Sequence, residues 1–586
     1  MNVLLVGLNA KFIHSSLALY SLAAACRDAG QEVSVAEYTI NQELLHVLGD
    51  IAGRTPAVVG IACYIWNREM VLKLAAALKK VMPETLIVLG GPEVSGDAQT
   101  VLTHNTAVDF VVQGEGEESL PELLEKLLQG LEALNVAGVA VRRDGCIELN
   151  GGVRVVKDLD RLPFPYRDTA MELLDNRIIY YESSRGCPFS CSYCLSSESQ
   201  GVRYRSLTKV KEELAFFLQH GVRQVKFVDR TFNVLPAHYQ GIWSFLAEHT
   251  GQTNFHFEIV ADRLNRDEIR WLSQVPAGLF QFEIGVQSTC EETLAAVGRH
   301  NQWDRLQENV TAIMLAGNLH LHLDLIAGLP NEDADRFAKS FNDVYGLLPD
   351  MLQIGFLKML PGTKMRREAI RFGYNYLEHP PYEILSNTLL SYKEMRGLKV
   401  LEEVFNQTYN SGRFRNTLSF LADFFAGDAF HLYNSLARWW EEHGLAGGSH
   451  SPDRVLSHIF SFAADLPPEK RRWVGELLKM DALLDTSRTL KGEQLSWNRE
   501  QWEPQKNRLW RSERMIRRFV PDYHFTNWRD VKRLYPVEVF SVNVFRWRES
   551  AIEAGNELTP VLFDAGKARP EYHLLPLDVF QLEDEN

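Results

Sequence analysis

Three cysteines stand within eight residues of the stretch "YESSRGCPFSCSYCLSS" (181–197), in a 586-residue chain that holds seven cysteines in all. Cys187, Cys191 and Cys194 have the spacing C-x3-C-x2-C, so one loop can bring three sulfurs to one centre. The thiolate is the metal-binding form of cysteine, and in a reducing compartment clustered thiols more often bind metal or do chemistry than pair as disulfides. A structural zinc ion normally takes four protein ligands, and this loop offers no fourth cysteine or histidine. A four-iron cluster usually takes four thiolates as well, so three would leave one iron open to bind a substrate. The remaining reading, a disulfide with one thiol left over, requires an oxidising compartment.

The chain's first residues, "MNVLLVGLNAKFIHSS", include no basic leader, and Gly7 and Asn9 break their apolar run too early for a signal peptide. No apolar stretch approaches the roughly 20 residues needed to cross a bilayer. A soluble chain in a reducing cytoplasm, with no membrane partner, is therefore expected. An apolar content of 45% and a charged content of 24% are ordinary for globular proteins. The net charge of -14 argues against nonspecific coating of nucleic acid, although a local basic patch remains open. At roughly 100 to 200 residues per domain, the length predicts three or four domains.

The elements that must position the cysteines begin with an α/β pattern. "NVLLVGL" (2–8), "EVSVAEY" (32–38), "VVGIACY" (58–64), "TLIVLGG" (85–91) and "DFVVQGEGE" (109–117) read as buried strands. Between the first two lies "SLALYSLAAACRDAG", apolar at helical spacing and stopped by Gly30. Strand, helix, strand in this order predicts a Rossmann-like parallel sheet with helices on both faces over residues 1–135. Ligands of such sheets bind beyond the carboxyl ends of the strands. There stand Gly7 and Asn9, Ala62 and Cys63, Gly90, Gly91 and Pro92, and Gly114 and Glu115, and glycine lets a ligand approach the backbone. Tight turns leaving the strands would explain any one of these glycines equally well.

A linker over 136–172 is expected, marked by "RLPFPYRD" (161–168), whose two prolines disfavour helix. The alternation resumes over 173–375. "RIIYYESS" (177–184) runs directly into the cysteine loop, and "QVKFVD" (224–229), "NFHFEIVA" (254–261), "LFQFEIGVQS" (279–288), "HLHLDLIAGLP" (320–330) and "MLQIGFLKML" (351–360) follow as strands. Six strands with amphipathic segments between them predict a partial (β/α)6 barrel, whose reacting groups gather at the strand C-termini. Residues 376–586 read as mostly helical, with short strands expected in "SVNVFRW" (541–547) and "RPEYHLLPL" (569–577). The segment from Trp497 to Arg533 interleaves Trp497, Trp502 and Trp510 with basic residues. It reads either as a helix bundle that buries its tryptophans or as a surface that stacks on RNA.

"CPFSCSYC" resembles the signature of radical S-adenosylmethionine (SAM) enzymes, with Tyr193 in the aromatic position before the last cysteine. The resemblance implies that Cys187, Cys191 and Cys194 hold a 4Fe-4S cluster whose fourth iron is chelated by the amino and carboxylate groups of SAM. "FEIGVQS" is similar to the family's fourth strand and implies SAM contacts from Glu283, Gln287 and Ser288. "LIAGLP" is similar to the motif beside adenine and implies Ile326, Gly328 and Pro330; "LPGT" (360–363) is similar to the turn after the sixth strand. "FVDRTFN" adds Asp229, although Arg230 stands where an acidic residue is common. An ordinary polar residue at a strand end explains each of these side chains taken alone.

The first 135 residues resemble the cobalamin-binding domain that precedes the barrel in one large subgroup, on the strength of "LGGPEVS" and "VVQGEGEESL". The strand-end residues named above then become its expected cobalamin contacts. The Asp-x-His-x-x-Gly signature, whose histidine ligates cobalt, is absent. His14 falls in the corresponding loop, as a cobalt contact or as a surface or helix-capping histidine.

The resemblance implies reductive cleavage of SAM to a 5'-deoxyadenosyl radical, an electron donor such as flavodoxin or ferredoxin, and methylation of an unactivated carbon of an unknown substrate. Cobalamin-assisted rearrangement, radical modification of RNA, and a non-catalytic iron-sulfur or cobalamin sensor are the alternatives. Methylthiotransferases of tRNA carry three further N-terminal cysteines, whereas Cys26, Cys63 and Cys146 are scattered here, which disfavours that option.

Overall fold

The apolar runs of the N-terminal region assemble into one seven-stranded sheet. A computed structural model describes residues 2–130, 135–143, 146–169, 171–198, 201–249, 251–485, 487, 489–497, 501–521, 523–546, 558–564, 571–577 and 580. Strands β1 (Val3–Asn9), β2 (Val33–Thr39), β3 (Val58–Ala62), β4 (Leu86–Gly90) and β5 (Phe110–Val112) are parallel, in the order β2-β1-β3-β4-β5. Every residue of β1 is buried, as a central parallel strand covered on both faces requires. Helix α1 (Leu17–Asp28) and helix α2 (Gly116–Leu128) cover one face, where Leu19, Ala23, Leu120 and Leu123 pack on Val3 and Leu5. The strand order reverses between β1 and β3, the position at which doubly wound sheets open a crevice for ligand.

The segment expected to be a linker does more than connect. β6 (Val139–Arg143) pairs antiparallel with β5, Val112 with Val139 and Phe110 with Val141, and β7 (Cys146–Asn150) pairs antiparallel with β6, extending the sheet. Further on, Phe164 and Tyr166 are buried against Phe217. The stretch turns from Pro165 onward, where the Arg167 amide donates to the Phe164 carbonyl and the Thr169 amide to the Tyr166 carbonyl, and its aromatic residues pack into the neighbouring layer.

The second sheet has six parallel strands in the order β15-β14-β13-β12-β11-β8. They are β8 (Ile179–Tyr181), β11 (Gln224–Phe227), β12 (Asn254–Ile259), β13 (Phe280–Gln287), β14 (His320–Ala327) and β15 (Met351–Phe356). β8 and β15 stay at the edges, so this is a barrel that does not close. "RIIYYESS" was expected as one strand. It breaks after Tyr181, and β9 (Ser184–Gly186) turns out to pair antiparallel with β10 (Val202–Tyr204), a two-stranded ribbon that brackets the cysteine loop. Two short strands, β16 (Asn375–Tyr376) and β17 (Ile384–Ser386), follow the barrel.

Residues Met1–Tyr392 form one unit and Lys393–Asn586 another. The second unit is mostly helical, with a three-stranded antiparallel sheet of Val537–Phe540, Thr559–Asp564 and Glu571–Leu574. The strand expected over 541–547 lies just upstream instead, and Trp547 is outside the described residues. Trp502 and Trp510 are buried with Leu509, Ile516 and Val531, and the Trp510 indole donates to the Tyr535 carbonyl at 2.9 Å. Trp497 is half-buried and donates to the Gly492 carbonyl at 2.8 Å. These tryptophans build the unit's interior rather than a stacking platform. No helix among the described residues is long and apolar enough to cross a membrane.

Candidate active site

The cysteine loop leaves β9 at the C-terminal side of the barrel. None of Cys187, Cys191 and Cys194 is in a disulfide; the Cys187 sulfur lies 3.8 Å from the Thr231 hydroxyl, and Cys191 is only 6% exposed. The Cys194 amide donates to the Cys191 carbonyl at 3.0 Å, a tight turn that keeps these two residues together. Neighbours clamp the turn from two sides: the Ser192 amide donates to the Val297 carbonyl and the Met365 amide to the Ser192 carbonyl, both at 2.8 Å. Burial raises the Cys187 thiol pKa, helped by Cys194 and Cys191, so three thiolates here require compensating positive charge. Arg299 supplies it. Its Nη1 lies 4.0 Å from Cys191 Sγ, its Nη2 donates to the Gly285 carbonyl, and its buried Nε has no partner. Three thiols outside any disulfide on one clamped loop, beside a cation with an unspent donor, fit a cluster held by three thiolates.

Asp229 holds the strand that delivers this loop. It is 1% exposed and accepts from the Ser183 amide (3.0 Å), the Ser183 hydroxyl (2.7 Å) and the Ser184 hydroxyl (2.5 Å). Burial raises its pKa to about 6 against those hydrogen bonds. Its carboxylate is thus occupied by the approach to Cys187.

Glu283 and Ser288 are likewise occupied by protein groups. Glu283 Oε2 accepts from Lys226 Nζ at 2.8 Å and lies 2.9 Å from His256 Nε2, and these contacts outweigh burial to hold its carboxyl well below the usual range. Ser288 donates to Glu332 at 2.6 Å. Gln287 ends β13 with φ +69°, and its side chain folds back over Gly285, where an added Cβ would come within 2.2 Å of Gln287 Nε2. Gly328 (φ +87°) uses its carbonyl to accept from the Tyr374 hydroxyl at 2.9 Å, and Pro330, two residues on, is buried. Ile326 is half-buried on the polar phase of β14. Tyr193 sits with Arg299 and Cys191, and burial raises the pKa of its hydroxyl.

Polar residues alternate with apolar ones along these strands. On β12, Phe255, Phe257 and Ile259 are buried against the surrounding aromatic layer, which leaves His256 and Glu258 on the other face. Lys226, His256, Glu283, His322 and Asp324 form a charged floor. His322 Nε2 lies 3.0 Å from Asp324 Oδ1, off hydrogen-bond alignment, so both atoms remain unsatisfied. Ligand atoms of Glu283, His322 and Asp324 fall within 4.8 Å of one another, but the Lys226 ammonium already occupies Glu283, which makes this an ion-pair network rather than a cation site. Lys226→Met leaves Glu283 with His256 alone and is expected to lower the unfolding free energy by about 3 kcal/mol, read from the urea midpoint; a shift below about 1 kcal/mol would contradict the network's importance.

Two charged side chains near that floor make no hydrogen bond or close ion pair among the described residues, the Glu258 carboxylate and the Arg230 guanidinium, which attract each other at longer range. Burial, reinforced by Glu283, raises the Glu258 pKa to about 7. Glu258 was missed in the sequence, although its position in "FHFEIV" follows from the alternation.

Arg230 also lines two adjoining cavities between the first sheet and the barrel. The first, about 490 Å³, runs from the ends of β3, β4 and β5 down between the sheet and helices α1 and α2, reaching Leu5, Leu22 and Leu120. Ala62, Gly90, Gly91, Pro92, Gly114 and Glu115 all line it. Gly91 (φ +108°) is obligatory there, because an added Cβ would meet the Cys63 carbonyl oxygen at 2.5 Å. The second cavity, about 500 Å³, takes in Asn9 and His14 with Trp66 and Tyr180. Trp66 stacks on Tyr64 at 4.5 Å between ring centroids and 6° between planes. Gly7 and Cys63 line neither cavity: Gly7 lies beneath Leu19, and Cys63 faces the opposite core of the sheet. His14 is not a helix cap. Its Nδ1 lies 2.8 Å from the Tyr180 hydroxyl, and burial lowers its pKa so that the ring stays neutral near pH 7. A long apolar slot opening at glycine-rich strand ends fits the nucleotide tail of a cobalamin.

Arg185 joins the two parts of the site. Two residues before Cys187, it pairs with Glu115 (3.1 Å) and Glu117 (2.8 Å) of the N-terminal domain and with Glu182 (2.7 Å) of the barrel. Opposed coulombic attractions outweigh its desolvation and keep it cationic.

Comparison with known proteins agrees with this division. The B12 binding domain family matches residues 3–124, the Radical SAM superfamily residues 181–344, and a family described as protein of unknown function (DUF4080) residues 370–563. Cobalamin-dependent radical SAM methyltransferase TokK of Streptomyces tokunonensis is 29% identical over 313 residues, covering 50% of this chain and 45% of that protein. The 2-(S-pantetheinyl)-carbapenam-3-carboxylate methyltransferase of Streptantibioticus cattleyicolor is 30% identical over 316 residues, with the same coverage of 50% and 45%. The chain thus spans about half the length of these curated relatives. Among solved structures, the radical SAM methyltransferase TsrM from Kitasatospora setae, with cobalamin and a [4Fe-4S] cluster bound, has a TM-score of 0.56 at 17% identity, covering 65% of this chain and 82% of that one. The cobalamin-dependent SAM radical enzyme OxsB, with aqua-cobalamin bound, has a TM-score of 0.58 at 14% identity, covering 84% and 81%. At these identities the likeness is one of fold. The chain therefore matches the B12 binding domain, Radical SAM and DUF4080 families in three successive segments, and over about half its length it is similar to a cobalamin-dependent radical SAM methyltransferase.

Proposed function

We propose that this protein is a cobalamin-dependent radical SAM enzyme that methylates an unactivated carbon. The observation that carries the reading is Arg185, which ties the strand leading into the cysteine loop to the acidic residues at the mouth of the strand-end cavity. This contact therefore links the three-thiolate site to the strand-end cavity. When bound, the cluster and cobalamin supply the electron that cleaves SAM and the methyl group that is transferred.

The chain's own residues do the rest. Cys187, Cys191 and Cys194 would hold the cluster, and Arg299 offsets their charge. Asp229 fixes the approach of the cysteine strand through Ser183 and Ser184. Gln287, Ile326 and Gly328 would flank SAM at the strand ends, whereas Glu283 and Ser288 support that surface from beneath through their partners. Ala62, Gly90, Gly91, Pro92, Gly114 and Glu115 would line the cobalamin tail, and Asn9 and His14 the second chamber. Arg230 and Glu258, as unspent charges, face the substrate and select one that carries an anionic group and a hydrogen-bond donor.

Glu258 provides the test of the substrate face. With its pKa at about 7, the carboxyl loses its proton as pH rises through neutrality, and substrate-dependent turnover should show that ionisation. Glu258→Gln should erase it while SAM cleavage without substrate persists. A profile that keeps the same inflection in the variant would contradict the assignment. The whole reading is tested by methyl transfer from methyl-labelled SAM in anaerobically reconstituted protein supplied with cobalamin. Formation of 5'-deoxyadenosine with no cobalamin-dependent label transfer would favour a different radical outcome.

A further inference from the structure

The turn after β15 gathers Lys364, Arg366, Arg367 and Arg371 within eight residues, with Glu368 the one acid among them. On a chain of net charge -14 this is a local reversal of sign. The turn is also rigid and close to the cysteines. Thr363 caps the short helix α3 (Lys364–Arg367), Met365 is fully buried, and the Met365 amide donates to the carbonyl of Ser192, the residue that follows Cys191.

Arg366 is committed inward, over the rings of Tyr376 and Tyr382 at 5.4 and 5.1 Å. The side chains of Lys364 and Arg371 are 61% and 72% exposed, and Glu368 approaches them only at 3.8 and 3.9 Å, beyond hydrogen-bond range. Arg367 is exposed as well, with its Nη1 donating to the Gly362 carbonyl at 2.6 Å. Between them Ile370 is 94% exposed, an apolar side chain held in solvent. A cluster of exposed cations around an exposed apolar side chain offers a contact surface whose sign selects an acidic partner.

We infer that this turn is the docking site of a small acidic one-electron carrier protein, of flavodoxin or ferredoxin type, that reduces the cluster from the side of Ser192. In the docked pair one electron leaves the carrier, a flavin hydroquinone anion becoming the neutral semiquinone, and the oxidised cluster gains it; no proton or group moves. The inference rests on the cluster assignment above, so its test reads binding apart from turnover.

The experiment titrates an oxidised acidic flavodoxin, which cannot reduce the cluster, with the anaerobically reconstituted full chain at low and high salt, following flavin fluorescence. K364E/R367E/R371E should weaken binding by about tenfold or more and flatten its salt dependence, with iron content and reduction by dithionite unchanged. Ile370→Asp, at a side chain too exposed to affect folding, should weaken binding without changing the salt slope. Arg270→Glu, a charge reversal elsewhere on the surface, should do neither. Unchanged flavodoxin affinity in the triple variant would overturn the docking site, as would an equal loss of reduction by dithionite, which would make the turn a brace for the cysteine loop. Protein that loads no cluster yet binds flavodoxin through these residues would overturn the cluster assignment and not the surface.

Discussion

Cys191→Ala is expected to abolish cluster assembly and SAM cleavage together. The reconstituted wild-type chain should hold about four irons, and the variant should fall to the iron content and 5'-deoxyadenosine background of protein that was never reconstituted. The effect is all-or-none because the loop offers three sulfurs and the described structure places no spare cysteine beside them; Cys290 is the N-cap of the helix Glu291–Ala296, with its own backbone contacts. Cys187→Ala and Cys194→Ala should behave alike. Arg299→Met makes the informative contrast. It removes the cation 4.0 Å from Cys191 Sγ but no ligand, so iron should be retained while the cluster becomes harder to reduce, its potential falling by an amount on the order of tens of millivolts. A Cys191→Ala protein that cleaves SAM at the wild-type rate would end the account. An Arg299→Met potential equal to wild type would remove only the charge-offset role.

Gly90→Leu should separate the two halves of the chemistry. An added Cβ at Gly90 meets nothing closer than the Val112 carbonyl at 3.8 Å, so the backbone tolerates a side chain there. At Gly60 the same Cβ would strike Leu5 at 2.7 Å, and at Gly116 it would strike Leu22 at 2.9 Å, so those changes would confound binding with folding. Beyond its Cβ, the leucine would fill the mouth of the 490 Å³ cavity. Cobalamin affinity should drop by about 100-fold or more, since filling a slot built for a rigid ligand removes both contacts and space. Iron content and SAM cleavage without substrate should stay within about twofold of wild type, and methyl transfer should vanish. Retention of cobalamin at wild-type affinity would show that the corrin tail does not enter this slot.

The period-two runs of the first sheet and the barrel strands were legible in the sequence because burial on one or both faces forces that pattern. The cysteine spacing was legible because it is local. Three features were not. β6 and β7 hide in a segment whose prolines read as linker, since "GVAVRRDGCIELN" has no neighbour in sequence to declare β5 as its partner. The ribbon of β9 and β10 joins segments separated by the cysteine loop, a non-local pairing with three-residue strands. Arg185, Arg299 and Glu258 carry no motif of their own, and their importance arises from what the fold brings to them: two acids from another domain, a thiol, and an absence of partners. Glu258 could have been found, because "FHFEIV", "QFEIG" and "LHLDLIAG" each place polar residues at every second position. That phase marks a polar barrel interior.

The same burial explains why motif residues and contact residues differ. Asp229, Glu283 and Ser288 lie in recognisable strings, yet each spends its polar atoms on protein partners. Sequence strings mark the positions that shape a strand end; only the hydrogen-bond inventory shows which atoms remain available to a ligand.

The central claim is that three thiolates from one loop leave a coordination position at which SAM binds. It is tested most directly by reducing the anaerobically reconstituted protein and recording its electron paramagnetic resonance with SAM labelled by carbon-13 at the carboxylate. The account predicts that SAM shifts the cluster signal and that the label adds a resolved hyperfine coupling. A cluster signal identical with and without SAM, in protein holding its full iron, would contradict it.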